Sequence, residues 1–192
     1  MSAAFLLRLS SFSFVVFIPF RPASMNVSRQ IVGYLQSRGL VLATAESCTA
    51  GLIASMLADV PGSGSCLDVG FVVYSPSAKS GFLGVREETI DRYGLTSEEV
   101  AREMAEGALA QREGRATVAV ANTGVADALP DGDGPRPGTQ CFAWSCVYRG
   151  RVFTTSETAV FDGSRNDVRR SAARHALLGI PRFVNGVPAR WR

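Results

Sequence analysis

Ser47 stands in the run Ala43-Thr-Ala-Glu-Ser-Cys-Thr-Ala-Gly51, after the apolar stretch Leu40–Ala43 and before a helical pattern that reaches Ala58. A hydroxyl at a strand-to-helix junction is surrounded by backbone N–H groups that have no intrahelical partner. Such donors can stabilise the charge that develops when the hydroxyl attacks a carbonyl. The same position suits a helix N-cap, a role open to both Ser47 and Thr49. The chain has one histidine, His175, flanked by Arg174 and Ala176 in a helical pattern. A helix-packed or solvent-facing ring is therefore expected, and a Ser-His-Asp triad has little to draw on. Tyr74 and Lys79 are the candidates to activate the serine, because they follow a second apolar strand whose end can meet the end of the first. A desolvated lysine can accept a proton or lower a tyrosine's pKa, although the spacing equally fits a strand-end aromatic and a solvated lysine. Cys48 has a thiol beside Ser47 but no histidine partner, and reads as a small buried residue.

Several elements must position these groups. Val27, Ile31, Tyr34 and Leu35 lie at helical spacing, with Gly39 placed to end the helix. Strands are expected over Leu40–Thr44, Val69–Tyr74 and Ala116–Ala121, and a helix over Thr49–Ala58. Short helical pieces are expected over Ser77–Phe82 and Glu87–Tyr93. A longer helix over Ser97–Glu113 would be opened by a Thr96/Glu99 capping box and closed by Gly114. Thr139–Tyr148 and Arg151–Phe161 read as a hairpin turned at Arg149-Gly150. A last helix, Arg165–Leu178, has Pro181 beyond it. The interleaving predicts an α/β three-layer α/β/α sandwich around a mixed, mostly parallel sheet of about five strands.

The 192 residues suit one domain, read as 25–192, and 46% apolar against 19% charged residues is a globular balance. A net charge of +3 without a dense Lys/Arg stripe argues against nucleic acid, although it favours an anionic small ligand. Four cysteines without CxxC spacing and one histidine are a poor supply for a metal site. Reduced thiols in a cytoplasmic protein are the better reading. Leu9–Phe20 is uncharged but too short to span a bilayer, which takes about 20 residues. It fits a signal-peptide apolar region, yet Arg21–Ser24 offers no small-x-small cleavage site. Residues 1–24 are accordingly read as a start-site artefact or a disordered extension rather than an export signal. Asp131-Gly-Asp133-Gly134 lacks the later ligands of a calcium loop and reads as a solvated turn. Gly62–Ser65 lacks the lysine of a phosphate-binding loop.

The ordered series Thr44-Ala-Glu-Ser-Cys-Thr-Ala-Gly51, Gly70-Phe-Val-Val-Tyr-Ser75 with Lys79, Ser97-Glu-Glu-Val-Ala with Met104–Leu109, and Thr123-Gly-Val-Ala126 resembles the CinA C-terminal domain family. These are the nicotinamide-nucleotide amidohydrolases, also called nicotinamide mononucleotide deamidases. Arg136-Pro-Gly-Thr139 and Phe161-Asp-Gly-Ser-Arg165 with Val168-Arg169 extend the resemblance, which covers about Val27 to Leu178 and makes Met25 a natural start. It implies hydrolysis of the carboxamide of nicotinamide mononucleotide to the acid and ammonia, with no cofactor or metal. Ser47 would be the nucleophile, and Tyr74 and Lys79 the activating pair. Glu46, Thr49, Gly51, Thr123 and Gly124 are carried over as substrate contacts, Thr123 also as an oxyanion contact. Arg165 and Arg169 are candidates to hold the phosphate bidentately, or form a solvated arginine face with Arg170 and Arg174. The partner is then a small pyridine nucleotide, with no nucleic acid or membrane, and the resemblance implies a homodimer.

Four departures bear on the ligand. The family's Thr-Gly-x-Ala-Gly-Pro is here Thr123-Gly-Val-Ala-Asp127-Ala128, which puts a negative charge near the expected phosphate. Its Tyr-Ser-Asn is Tyr74-Ser75-Pro76, a glycine of Ser-Cys-Thr-Gly-Gly is Ala50, and Gly-Asp-Arg is Gly163-Ser164-Arg165. These leave two alternatives: a non-catalytic nucleotide-binding or interaction domain of the same fold, and an amidohydrolase for a different carboxamide.

Overall fold

The computed structural model describes residues 25–111, 114–128 and 134–187. The leading segment 1–24, the Asp131–Asp133 turn and Glu113 lie outside them. The sheet has five strands in the order β2-β1-β3-β4-β5, formed by β1 (Leu42–Glu46), β2 (Leu67–Val72), β3 (Val118–Gly124), β4 (Thr139–Tyr148) and β5 (Arg151–Val160). β1 pairs in parallel with β2 and β3, while β4 is antiparallel to both β3 and β5. Helices α1 (Met25–Ser37), α2 (Leu52–Ala58) and α6 (Arg165–Gly186) cover one face, and α3 (Pro76–Leu83), α4 (Glu87–Tyr93) and α5 (Glu98–Leu109) serve the other. The mixed five-stranded α/β/α sandwich is the architecture expected from the sequence.

Strand alternation explains why the two faces differ. Leu42, Val118, Val120, Phe142 and Trp144 point to the α1/α2/α6 side, where Ile31, Leu35, Ile53, Leu177 and Ile180 meet them. Each fully buried aliphatic or Phe side chain contributes roughly 1.5–3 kcal/mol. The intervening Ala43, Ala45, Ala119, Ala121 and Ala143 face Val100, Ala101, Met104, Ala105 and Ala108 of α5. Small residues on both surfaces let α5 lie close to the strands. Beside this stripe α5 presents Gly107, where a Cβ would fall 1.9 Å from the Leu83 carbonyl oxygen. Only glycine therefore lets α3, which carries Lys79, pack at this distance.

Several boundaries differ from the sequence expectation. β2 starts at Leu67 and ends at Val72, so Tyr74 lies beyond its end. β3 is shifted towards the carboxyl end, from Ala116–Ala121 to Val118–Gly124, in register with β1 and β4. α2 starts at Leu52 rather than Thr49, because residues 47–51 form a turn closed by Ala50 N–H donating to the Ser47 carbonyl at 3.0 Å. α3 begins at Pro76, where the missing N–H costs nothing, and Ser75 caps it by accepting from Ala78 N–H. The cap of α5 is Ser97 rather than Thr96, its Oγ accepting from Val100 N–H, and the helix ends at Leu109. α6 runs through Pro181 to Gly186 instead of stopping at Leu178. A proline inside a helix costs about 3 kcal/mol, but Leu177, Ile180 and Phe183 on both sides of it are buried in the core. Packing overrides the local breaker. The Arg149-Gly150 turn occurs as expected, both residues having positive φ (51° and 73°), as a two-residue hairpin loop requires.

Among the described residues no helix is long and apolar enough to cross a membrane. All four cysteines are free and buried.

Candidate active site

The parallel strands β1, β2 and β3 end on the same edge of the sheet, and antiparallel β4 begins there. Ser47 follows β1, Tyr74 lies two residues beyond β2, and Thr123 and Gly124 close β3 opposite Cys141 and Gln140. The carboxyl edge of parallel strands is where α/β sheets place ligands, because chain and helix ends diverge there.

At this edge Lys79 Nζ lies 3.0 Å from Ser47 Oγ. The ammonium also donates to the main-chain carbonyls of Val73 (2.9 Å) and Tyr74 (3.1 Å). Lys79 is only 1% exposed, and burial pushes its pKa down from 10.5 to about 8. A neutral amine has two N–H groups and one lone pair. With the two N–H groups held by Val73 and Tyr74, the lone pair is left for the Ser47 hydroxyl.

The turn that presents Ser47 is pinned from three directions. Ser47 N–H donates to the Asn122 carbonyl at 2.9 Å, and Thr49 N–H donates to Asn122 Oδ1 at 3.2 Å. Asn122 Nδ2 donates to Gln140 Oε1, whose amide nitrogen donates in turn to the Val125 carbonyl. Glu46, fully buried, points under α2. Its carboxylate accepts from Ile53 N–H (3.0 Å), Ala54 N–H (2.9 Å) and the Thr44 hydroxyl (3.0 Å). It thereby satisfies donors that a helix start leaves orphaned. Arg169 reaches over from α6, donating from Nε to the Cys48 carbonyl (3.0 Å) and from Nη2 to the Thr49 carbonyl (3.1 Å). Ala50 and Gly51 complete the turn with φ of 49° and 88°.

The structure thus brings Ser47 and Lys79 together and distributes the other candidates around them. The Tyr74 side chain is exposed; its phenol accepts from Arg165 Nη2 at 3.0 Å, while its main chain holds Lys79. Thr123 Oγ1 donates to the Leu95 carbonyl at 2.8 Å, so its proton is already committed. Thr49 Oγ1 is buried without a hydrogen-bond partner. The Cys48 thiol is buried and accepts from Gln140 Nε2, and burial raises its pKa, which disfavours the thiolate. His175 packs among Phe142, Trp144 and Phe161 and pairs with Glu157, as a helix-packed histidine rather than a base for Ser47. Arg165 bonds Asp127 as well as Tyr74. Asn122 and Gln140 were not singled out from the sequence. The one available signal was a polar amide closing the otherwise apolar run Val118–Ala121.

The CinA C-terminal domain family matches residues 24–184. The chain belongs to that family. Among its relatives is nicotinamide-nucleotide amidohydrolase PncC of Escherichia coli K12, 43% identical over 155 residues that cover 80% of this chain and 90% of that protein. A CinA-like protein of Akkermansia muciniphila is 41% identical over 161 residues, 83% of this chain but 37% of that protein. A relative from Symbiobacterium thermophilum, 48% identical over 167 residues, is likewise matched over 82% of this chain and 38% of its own length. The chain thus spans well under half the length of these last two relatives. The crystal structure of competence damage-inducible protein A from Klebsiella pneumoniae superposes with a TM-score of 0.76 at 33% identity, covering 88% of this chain and 98% of that one. The residues implied by the resemblance to the CinA family therefore sit within the matched region.

Proposed function

We propose that this CinA-family chain is an amidohydrolase that converts nicotinamide mononucleotide to nicotinate mononucleotide and ammonia through a Ser47–Lys79 pair. The observation that carries the reading is the 3.0 Å approach of a fully buried lysine amine, shifted down to a pKa of about 8, to the hydroxyl at the strand–helix turn. The likeness to PncC of E. coli supports the substrate class.

Lys79 in its neutral form takes the Ser47 proton as the oxygen attacks the carboxamide carbon. The tetrahedral intermediate collapses with cleavage of the C–N bond, and the proton returns from Lys79 to the leaving nitrogen, which departs as ammonia. Water then attacks the resulting ester with Lys79 again as base, the C–O bond to Ser47 breaks as Ser47 Oγ takes that proton back from Lys79, and the acid leaves. The Tyr74 phenol accepts from Arg165 Nη2, and its carbonyl helps to hold Lys79.

The test is ammonia release from nicotinamide mononucleotide by the wild type, Ser47→Ala and Lys79→Arg, with circular dichroism to verify folding. Turnover by the wild type and its loss in both folded variants is expected. Binding of the nucleotide without ammonia release by the wild type sinks the catalytic reading.

A further inference from the structure

Resting on the amidohydrolase reading above, we infer that Asp127 is a specificity-determining residue that weakens this site's hold on the phosphate of its nucleotide substrate. Arg165 opens α6 and is linked through Tyr74 and Lys79 to Ser47, so on the amidohydrolase reading it is the cation that meets the substrate phosphate. Its Nη1 already donates to Asp127 Oδ2 at 2.9 Å, and its Nη2 donates to the Tyr74 phenol at 3.0 Å. Bidentate recognition of a phosphate needs a pair of parallel N–H groups from the guanidinium fork. A phosphate arriving here must either displace Asp127 or share Arg165 with a carboxylate of its own sign.

The neighbouring arginine on this helix face is already committed. Arg169, one turn further along α6, spends Nε and Nη2 on the carbonyls of Cys48 and Thr49 and bonds Asn166 through Nη1. The Arg165–Asp127 pair also lies close to the chemistry. Tyr74, which Arg165 holds through the phenol, holds Lys79 through its carbonyl, and Lys79 holds Ser47. The charges of Arg165, Arg169 and Asp127 are all felt at Cys48, the residue after Ser47.

Asp127 is kept there by its neighbours. Val125 is tied to β4 by N–H donation to the Thr139 carbonyl at 2.9 Å, and its own carbonyl accepts from Gly138 N–H at 3.1 Å. Ala126 is buried against Cys48 and Val168. Asp127 and Arg165 are both about half exposed (55% and 50%), so the pair adds little to stability. Its consequence lies in what Arg165 can still bind.

The experiment compares nicotinamide mononucleotide with nicotinamide riboside, the same molecule lacking the phosphate, in wild type and Asp127→Asn. Asparagine keeps the shape and removes the charge. The ratio of kcat/KM for the nucleotide to that for the riboside should rise about three- to tenfold in the variant, carried by KM for the nucleotide. Because the repulsion is between exposed charges, the rise should shrink as salt is increased from roughly 0.02 to 0.5 M; a change in loop packing would not show this dependence. Calorimetric titration of both compounds into Ser47→Ala and Ser47→Ala/Asp127→Asn protein reads the same preference without turnover. An unchanged or falling ratio, or equal nucleotide affinity in the two titrated proteins, overturns the assignment. Absence of ammonia from both substrates with wild type removes the amidohydrolase reading alone, since the titrations still decide the role of Asp127. If neither compound binds, both proposals fall.

Discussion

Lys79 Nζ sits 3.0 Å from Ser47 Oγ and is held there by two main-chain carbonyls, those of Val73 and Tyr74. The contact joins the turn after β1 to the first turns of α3 across the carboxyl edge of the sheet. Two acceptors and one hydroxyl surround a group with three N–H bonds when charged and two when neutral. The geometry serves both protonation states, and burial decides between them.

The pH dependence follows from that balance. With the Lys79 pKa lowered from 10.5 to about 8 by burial, kcat/KM should rise with pH and reach half its plateau near pH 8, because only the neutral amine accepts the Ser47 proton. Lys79→Arg keeps a charge and N–H donors but stays protonated, so activity should fall by roughly 10²-fold or more and the rising limb should disappear. Stability has a matching sign. The folded state loses this proton before the unfolded state does, so resistance to unfolding should increase between about pH 8 and 10.5, measured by urea melts of wild type against Lys79→Arg. A limb centred near pH 10 would show that burial does not tune the amine.

Glu46 lies in the same turn with a different task. Its carboxylate accepts three hydrogen bonds, from Ile53 N–H, Ala54 N–H and the Thr44 hydroxyl, in a site with no solvent exposure. In Glu46→Gln one oxygen becomes an NH₂ facing backbone donors, which should cost about 1–3 kcal/mol of stability, read as a lowered midpoint in chemical denaturation. A direct substrate contact would instead leave the midpoint in place and raise KM.

Ala50 carries backbone strain that its side chain makes avoidable. A φ of 49° costs an L-residue about 1–2 kcal/mol, while glycine surrenders more unfolded-chain entropy, about 0.4–1 kcal/mol. Ala50→Gly should therefore stabilise the protein by about 0.5–1 kcal/mol, measured by denaturant unfolding at matched slope. A loss of stability would mean that the methyl group makes packing contacts worth more than the strain.

Much of this arrangement was legible because it depends on local pattern. The apolar run before Ser47, the glycine after α1 and the left-handed Arg149-Gly150 turn each state their own geometry, and successive strand ends had to bring Ser47 near Lys79. Relationships that cross the fold were less accessible. Pro181 reads locally as a helix end, yet the burial of Ile180 and Phe183 carries α6 past it. The family resemblance makes Glu46 a substrate contact; only the direction of β1's alternation shows that it faces α2. Arg165 and Arg169 have the same residue type and the same helix face. Their partners, Asp127 for one and the Cys48 and Thr49 carbonyls for the other, come from distant segments that no spacing rule connects.

That difference between the arginines predicts a positioning role for Arg169, with a consequence separable from phosphate binding. Its guanidinium spans two successive carbonyls of the turn that follows Ser47, at 3.0 and 3.1 Å. A lysine, with a single ammonium, cannot reproduce that planar fork. Arg169→Lys should therefore loosen the turn and lower kcat for nicotinamide mononucleotide by about ten- to a hundredfold, since small displacements of a reacting group carry penalties of that order. KM should change little, and the ratio of nucleotide to riboside turnover should stay constant, because neither carbonyl contact involves the phosphate. A group that gripped the phosphate would give the opposite split: KM for the nucleotide would rise, kcat would hold, and the riboside would be unaffected. Steady-state kinetics on the two substrates, with thermal melts to show that the variant is folded, decide between these roles.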